Sequence, residues 1–158
     1  WLWALPVIYV AAVFHSTLTL PYVTVHRWTT GWREMGRIVG LAADRFEAET
    51  GEKVFLLGMD SHYVASALSF YTDGSHPVFS RNLIGRRALA FEYWQPEVEP
   101  VGFNALAVDI NRPNVESLKR YCTRVEEPVE RIALRRGNRI LHYVYWVKCY
   151  GYKGSRAQ

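Results

Sequence analysis

The sequence predicts an α/β fold: a small, mostly parallel sheet flanked by helices, with a C-terminal antiparallel hairpin and, ahead of it, a truncated transmembrane helix. Three observations carry this expectation. Apolar runs of strand length at 53–58 and 105–110 alternate with amphipathic stretches of helical period, the pattern of βαβ units. Two strand-like segments, 129–136 and 139–150, flank Gly137-Asn138, a two-residue loop suited to a tight hairpin. No Asp, Glu, Lys or Arg occurs from Trp1 to Val25, and 1–14 is apolar apart from the Tyr9 hydroxyl.

The opening segment comes first in the chain. Crossing ~30 Å of hydrocarbon at ~1.5 Å per residue takes about 20 residues, which reaches from Trp1 to Leu20 before Pro21. Residues 1–21 are therefore expected to be the end of a membrane helix that begins upstream of Trp1. A buried soluble helix and a trimmed signal sequence are the competing assignments, the latter lacking a basic n-region and a small-residue cleavage site. Trp1, Trp3 and Tyr22 suit the two interfaces or belong to a core, and Arg27, Arg33 and Arg37 after the span would by the positive-inside bias draw this side toward the cytoplasm, a weak pull because folded domains cross largely regardless of charge.

A linker at 22–30 leads to the domain at 31–154, and 155–158 is a tail. Met35, Ile38, Val39, Ala42 and Phe46 share one face of a helix over 32–49, with Thr30 or Gly31 at its start and Gly51 at its end. The run at 53–58 is apolar on both alternating faces, as a strand covered by helices on each side must be. A helix over 62–71, a short strand at 77–80, a short helix over 86–94, the strand at 105–110 and a helix over 113–122 follow. The final hairpin adds antiparallel edge strands.

At 49% hydrophobic and 15% aromatic, 158 residues suffice for one folded domain and exclude intrinsic disorder. The formal net charge of +4 is spread among 15 acidic residues without a basic tract, which argues against a nucleic-acid partner. Cys122 and Cys149 are too few for a disulfide scaffold and too far apart for a CxxC site, so core thiols are expected.

Chemistry is sparse. Gly58-Met59-Asp60-Ser61-His62 lies at a strand-to-helix turn, where open α/β sheets place ligands and nucleophiles. Adjacent side chains at a helix start point apart and no strained elbow follows, so Asp60 or Ser61 reads as a helix cap, with Asp60 also a candidate ligand contact. Gly58 lacks the partners of a GxGxxG turn, and His15, His26, His62, His76 and His142 show no close metal-ligand spacing. Glu126, Glu127 and Glu130 read as a solvated loop. Phe91, Tyr93, Tyr71 and Trp94 offer aromatic faces for a sugar or lipid, or belong to the core. The candidate substrate contacts are thus Asp60, Tyr71 and Trp94, with no catalytic residue, metal ligand or cofactor motif.

Taken in order, segments 31–35, 60–71, Tyr93-Trp94 and 102–108 resemble the C-terminal region of bacterial integral-membrane glycosyltransferases of the protein-O-mannosyltransferase-like group, over about residues 15–154. Departures fall at Glu92 and Asn104, where that pattern has Asp, and at Thr72, where Leu is usual. The resemblance implies an inner-membrane enzyme that moves a sugar from a polyprenyl-phosphate carrier to a lipid or protein acceptor on the extracytoplasmic face. It implies also that the catalytic carboxylate lies in the first external loop, upstream of this segment, so that this lobe is accessory. Membrane lipid is then a direct partner, and donor and acceptor are met through the upstream part. A membrane-tethered binding module without activity is the alternative, and a soluble hydrolase centred on Asp60 and Ser61 a third reading.

Overall fold

The computed structural model describes residues 3–17, 30–60, 62–93 and 99–155, with backbone alone for 15–17, 136 and 139. Helix α1 (Ala4–Thr17) is apolar on every side of its described part, and Pro6 stands in the first turn, where a missing N–H is tolerated. Its 14 residues cover about 21 Å at ~1.5 Å each, less than the ~30 Å hydrocarbon layer. Among the described residues no helix is long and apolar enough to cross a membrane. The expected continuation to Leu20, the stop at Pro21 and most of the linker fall on 18–29, outside the described residues.

The α/β domain begins with α2 (Trp32–Thr50), which buries Met35, Gly36, Val39, Gly40, Ala43 and Phe46 at helical spacing. Gly51 ends it in the left-handed region (φ 69°) as expected, its N–H donating to the Glu47 carbonyl at 2.8 Å. Strand β1 (Val54–Gly58) is buried along its whole length. Helix α3 (Tyr63–Tyr71) and strand β2 (Val78–Ser80) follow. A 3-10 turn at Arg81–Ile84, closed by Gly85 at φ 68°, precedes the region expected to be a helix over 86–94, of which the described residues form only a second 3-10 turn, Leu89–Glu92. Strand β3 (Asn104–Asp109) leads to α4 (Val115–Lys119), shorter than its expected 113–122, since Cys122 already starts β4 (Cys122–Val125). Strands β5 (Glu130–Arg136) and β6 (Arg139–Tyr152) form the hairpin, with Arg136 opposite Arg139 across Gly137-Asn138.

The sheet has six strands in the order β2-β1-β3-β6-β4, with β5 also paired to β6. Strands β2, β1 and β3 are mutually parallel, with Leu56 opposite both Val78 and Leu106. Strand β6 is antiparallel to β3 on one side and to β4 and β5 on the other. The crossover through α4 therefore returns β4 in the direction of β3 but one strand further out, and β6 fills the gap. The hairpin's returning strand is thus interior; β4 and β5 make the edge.

Alternation along the strands divides the core in two. Val54 and Leu56 of β1, with Leu106, Val108, Val144 and Trp146, pack under α2 and α3. Phe55 and Leu57, with Ala105, Ala107 and Val147, face the first 3-10 turn and Leu118 of α4 on the other side. Within this second cluster Cys122 and Cys149 are joined as a disulfide with Cα atoms 5.7 Å apart, which corrects the expectation of free core thiols. Sequence separation of 27 hid the pairing; β4 lying beside β6 creates it.

Candidate functional site

The parallel strands β1 and β3 are neighbours whose connections leave in different directions, so their carboxyl ends flank the crevice where open α/β sheets gather ligands. Asp60 follows β1 there and Asp109 ends β3. Asp60 is committed to α3: its carboxylate accepts from the backbone N–H of Tyr63 at 2.8 Å, Val64 at 3.0 Å and His62 at 3.3 Å. Three donors at a helix N-terminus complete the turn and favour negative charge there. The cap read from sequence is what the side chain does; Ser61 lies outside the described residues.

Asp60→Ala should therefore lower stability by about 1–2 kcal/mol, in the range of lost helix caps. Thermal unfolding of the variant measures the loss, and an unchanged melting temperature would show that the Asp60 carboxylate does not hold the start of α3.

Asp109 was not singled out by sequence, although its place at the end of a buried strand, equivalent to Asp60 after β1, was the available signal. Burial raises its carboxyl above the usual range and the charge of Asp60 adds to this, against the Asn111 N–H at 2.9 Å, the Ile110 N–H and the charge of Arg81. A folded-state pKa above the unfolded one favours the fold only at low pH, and that contribution is lost as pH rises through the raised value. At neutral pH an ionised Asp109 is thus a net cost. Asp109→Asn keeps an acceptor for Asn111 and should stabilise the domain by about 1 kcal/mol at pH 7. The gain should vanish at about pH 3, where both forms are neutral in either state. Chemical denaturation at the two pH values measures it; equal stability at pH 7 would contradict this account.

Tyr71 lies at the far end of α3 from Asp60, about 12 Å along the helix axis at ~1.5 Å per residue. The structure does not bring these two candidates together, and Trp94 lies outside the described residues. What Tyr71 joins is an aromatic surface. Its ring meets Phe70 edge-on at 4.8 Å, and the pair stands between two open hollows. One, of about 390 Å³, is lined by Trp32, His62, Tyr63 and Ser66 with Phe70 and Tyr71. The other, of about 550 Å³, has Arg33, Arg37, Leu41 and Asp44 opposite the same two rings. Phe70 is 75% and Tyr63 46% exposed.

Close approach of α3 produces this ridge. A Cβ on Gly36 would lie 2.5 Å from the Tyr71 Cβ, and one on Gly58 would lie 2.6 Å from the Ala65 backbone nitrogen. The two glycines let α3 sit against both α2 and β1.

The remaining candidates are structural. Asn104, fully buried, donates to Thr50 Oγ1 at 3.2 Å and accepts from the Gly151 N–H at 3.0 Å. Glu92 accepts from the Ala88 N–H, and the Thr72 hydroxyl donates to the Leu68 carbonyl, so all three departures from the resembled pattern have local work. Glu126 accepts from the Tyr150 hydroxyl and Glu127 pairs with Lys119 at 3.1 Å, which splits the acidic cluster into separate contacts. Burial pushes the Tyr152 phenol well above its ordinary range, and that hydroxyl donates to the Leu83 carbonyl at 2.6 Å. Among the described residues no three His, Cys, Asp or Glu side chains converge as a metal site. No family model, no curated protein and no solved structure matches this chain.

Proposed function

We propose that this chain is the external C-terminal α/β lobe of a polytopic membrane glycosyltransferase, one that transfers a sugar from a polyprenyl-phosphate donor to a lipid or protein acceptor. The lobe is accessory to a catalytic carboxylate elsewhere in the longer polypeptide. The observation that carries the reading is α1: from Trp3 to Phe14 the helix is exposed, with Trp3 84%, Leu5 73% and Ile8 63% accessible. A helix hydrophobic all round is stable in lipid or in a protein interior.

Two further features support it. The Cys122–Cys149 bridge belongs to an oxidising compartment such as the extracytoplasmic face. Asp60, the carboxylate after β1, is occupied by three backbone donors. The resemblance of segments 31–35, 60–71 and 102–108 supplies the reaction class.

The test is a transfer assay on the polypeptide encoded by the whole gene, with a labelled polyprenyl-phosphate sugar in membranes. The intact chain should transfer sugar and residues 31–154 alone should not. Transfer by the isolated lobe, or none by the intact chain with any polyprenyl-phosphate sugar, would overturn the proposal.

A further inference from the structure

Charge is divided along this chain. Residues 131–158 hold seven of its 19 Lys and Arg and none of its 15 Asp and Glu. Four of the seven, Arg131, Arg135, Arg136 and Arg139, belong to the β5–β6 hairpin, whose two strands gather cations that form no continuous run in the sequence. Strand β3 pairs with β6 only from Tyr145 to Cys149, so the hairpin beyond Tyr145 is a two-stranded arm that projects past the carboxyl ends of β1 and β3. Its base is anchored. Leu134 and Val144 are buried under α2, and a Cβ on Gly31 would lie 3.3 Å from His142 Cε1 and 3.4 Å from Leu134 Cδ1, where the chain enters the domain.

Beyond that anchor, Arg135 stands opposite Ile140 and Arg136 opposite Arg139. Arg131 and Arg135 are exposed and have no ion pair among the described residues; Arg131 lies over the Tyr143 ring at 4.7 Å. The acids beside the arm are at its base or engaged elsewhere. Glu130 is opposite Trp146 and Asp109 opposite Tyr145, whereas Arg135 and Ile140 lie further out by about 17 Å at ~3.4 Å per residue. Glu34, in the first turn of α2, is held by Arg37 at 2.6 Å. Ile140 is itself 39% exposed. Cations without a counter-charge around an exposed isoleucine complement an anionic bilayer surface: arginine meets phosphate while the apolar side chain enters the headgroup layer.

We propose that the hairpin tip, residues 135–140, binds anionic phospholipid headgroups and so turns the carboxyl-end crevice of β1 and β3 toward the membrane. The inference rests on the reading of α1 as lipid-embedded and goes beyond it, since a linker between 17 and 32 would also permit a lobe held clear of the surface.

The test uses the full chain in vesicles of phosphatidylcholine with or without phosphatidylglycerol, its Cys122–Cys149 bridge kept oxidised. A nitroxide is attached in turn at Asn138→Cys on the tip, at Glu52→Cys and at Val10→Cys on α1; all three native side chains are exposed. Glu52 follows α2, about 29 Å along its axis from Gly31, and marks the far end of the sheet. Collision with a water-soluble relaxing agent at 138 should fall about threefold when phosphatidylglycerol is present, stay unchanged at 52 and be lowest at 10 throughout. Arg135→Gln combined with Arg136→Gln and Arg139→Gln should abolish that response at an unchanged melting temperature. Equal collision at 138 in the two lipids, or a response that survives the triple substitution, with 10 still protected, would overturn this inference and leave the reading of α1 standing. Full aqueous access at 10 would overturn both.

Discussion

Replacing both bridged cysteines, Cys122→Ala with Cys149→Ala, is expected to lower the unfolding free energy by about 3–4 kcal/mol, the chain-entropy value for a loop closed over 27 residues. The folded state changes little: both side chains are buried beside Leu118, Val147 and Tyr152, and two alanines leave no unsatisfied polar group there. The effect acts mainly on the unfolded chain, which regains the freedom of 122–149. β4 is the short edge strand tied to β6 by this bridge and by the pairings Cys122–Tyr152 and Val125–Cys149. Its loss should expose β4 first, seen as faster amide exchange at 122–125 than at 104–109. Urea denaturation of the bridged and double-alanine proteins measures the difference, equivalent to roughly 10 °C in melting temperature for a domain of this size. A difference below about 1 kcal/mol would mean that the bridge does not constrain the chain.

The second large effect opposes two glycines of one helix. Gly36→Ala places a methyl 2.5 Å from the Tyr71 Cβ and 2.7 Å from the Tyr71 carbonyl oxygen. Backbone cannot yield as a flexible side chain does, so α3 must lift from α2, at about 2–3 kcal/mol. Four residues on, a Cβ at Gly40 meets nothing within 4 Å. Gly40→Ala should therefore stabilise α2 by up to about 1 kcal/mol, the propensity difference between the two residues in a helix interior. Substitutions identical in kind should thus differ by about 3 kcal/mol in outcome, with opposite signs. Thermal melts of the two variants check it. Destabilisation of equal size at both would show that α2 is unfavourable to any side chain on this face, not crowded at one crossing.

Local patterns in the sequence carry through to the fold, and contacts between distant positions do not show in it. The alternating faces of β1, the apolar stripe of α2 and the Gly137-Asn138 hairpin are local patterns of period 2.0, 3.6 and a turn pair, and each is present in the structure. Asp60 as a cap was legible for the same reason, its three donors lying within four residues. The disulfide and the Gly36–Tyr71 crossing join positions 27 and 35 residues apart, and no local pattern announces either. The same holds for His76, whose ring nitrogens reach Asp44 at 2.9 Å and the Val54 carbonyl at 3.2 Å from other elements. Of the candidate site, Tyr71 was legible as an aromatic on a helix stripe. Its neighbours Trp32 and Arg33 were not, because α2 and α3 meet only in the folded chain.

The insertion of β6 between β3 and β4 was illegible too. A βα unit followed by a hairpin has the same sequence signature whether the hairpin extends the edge or enters the sheet. The order is decided by which apolar faces match. Trp146 and Val144 on one side of β6, with Val147 and Cys149 on the other, are buried on both faces, as an interior strand requires.

Limited proteolysis of the intact protein in sealed, right-side-out membrane vesicles tells whether α1 lies in lipid with the lobe outside. The account predicts that protease added outside removes the lobe at 31–154 while an apolar fragment containing 3–17 stays with the membrane after alkaline extraction. A lobe that is cut only once the vesicles are opened, or a chain that washes off the membrane whole, would contradict it.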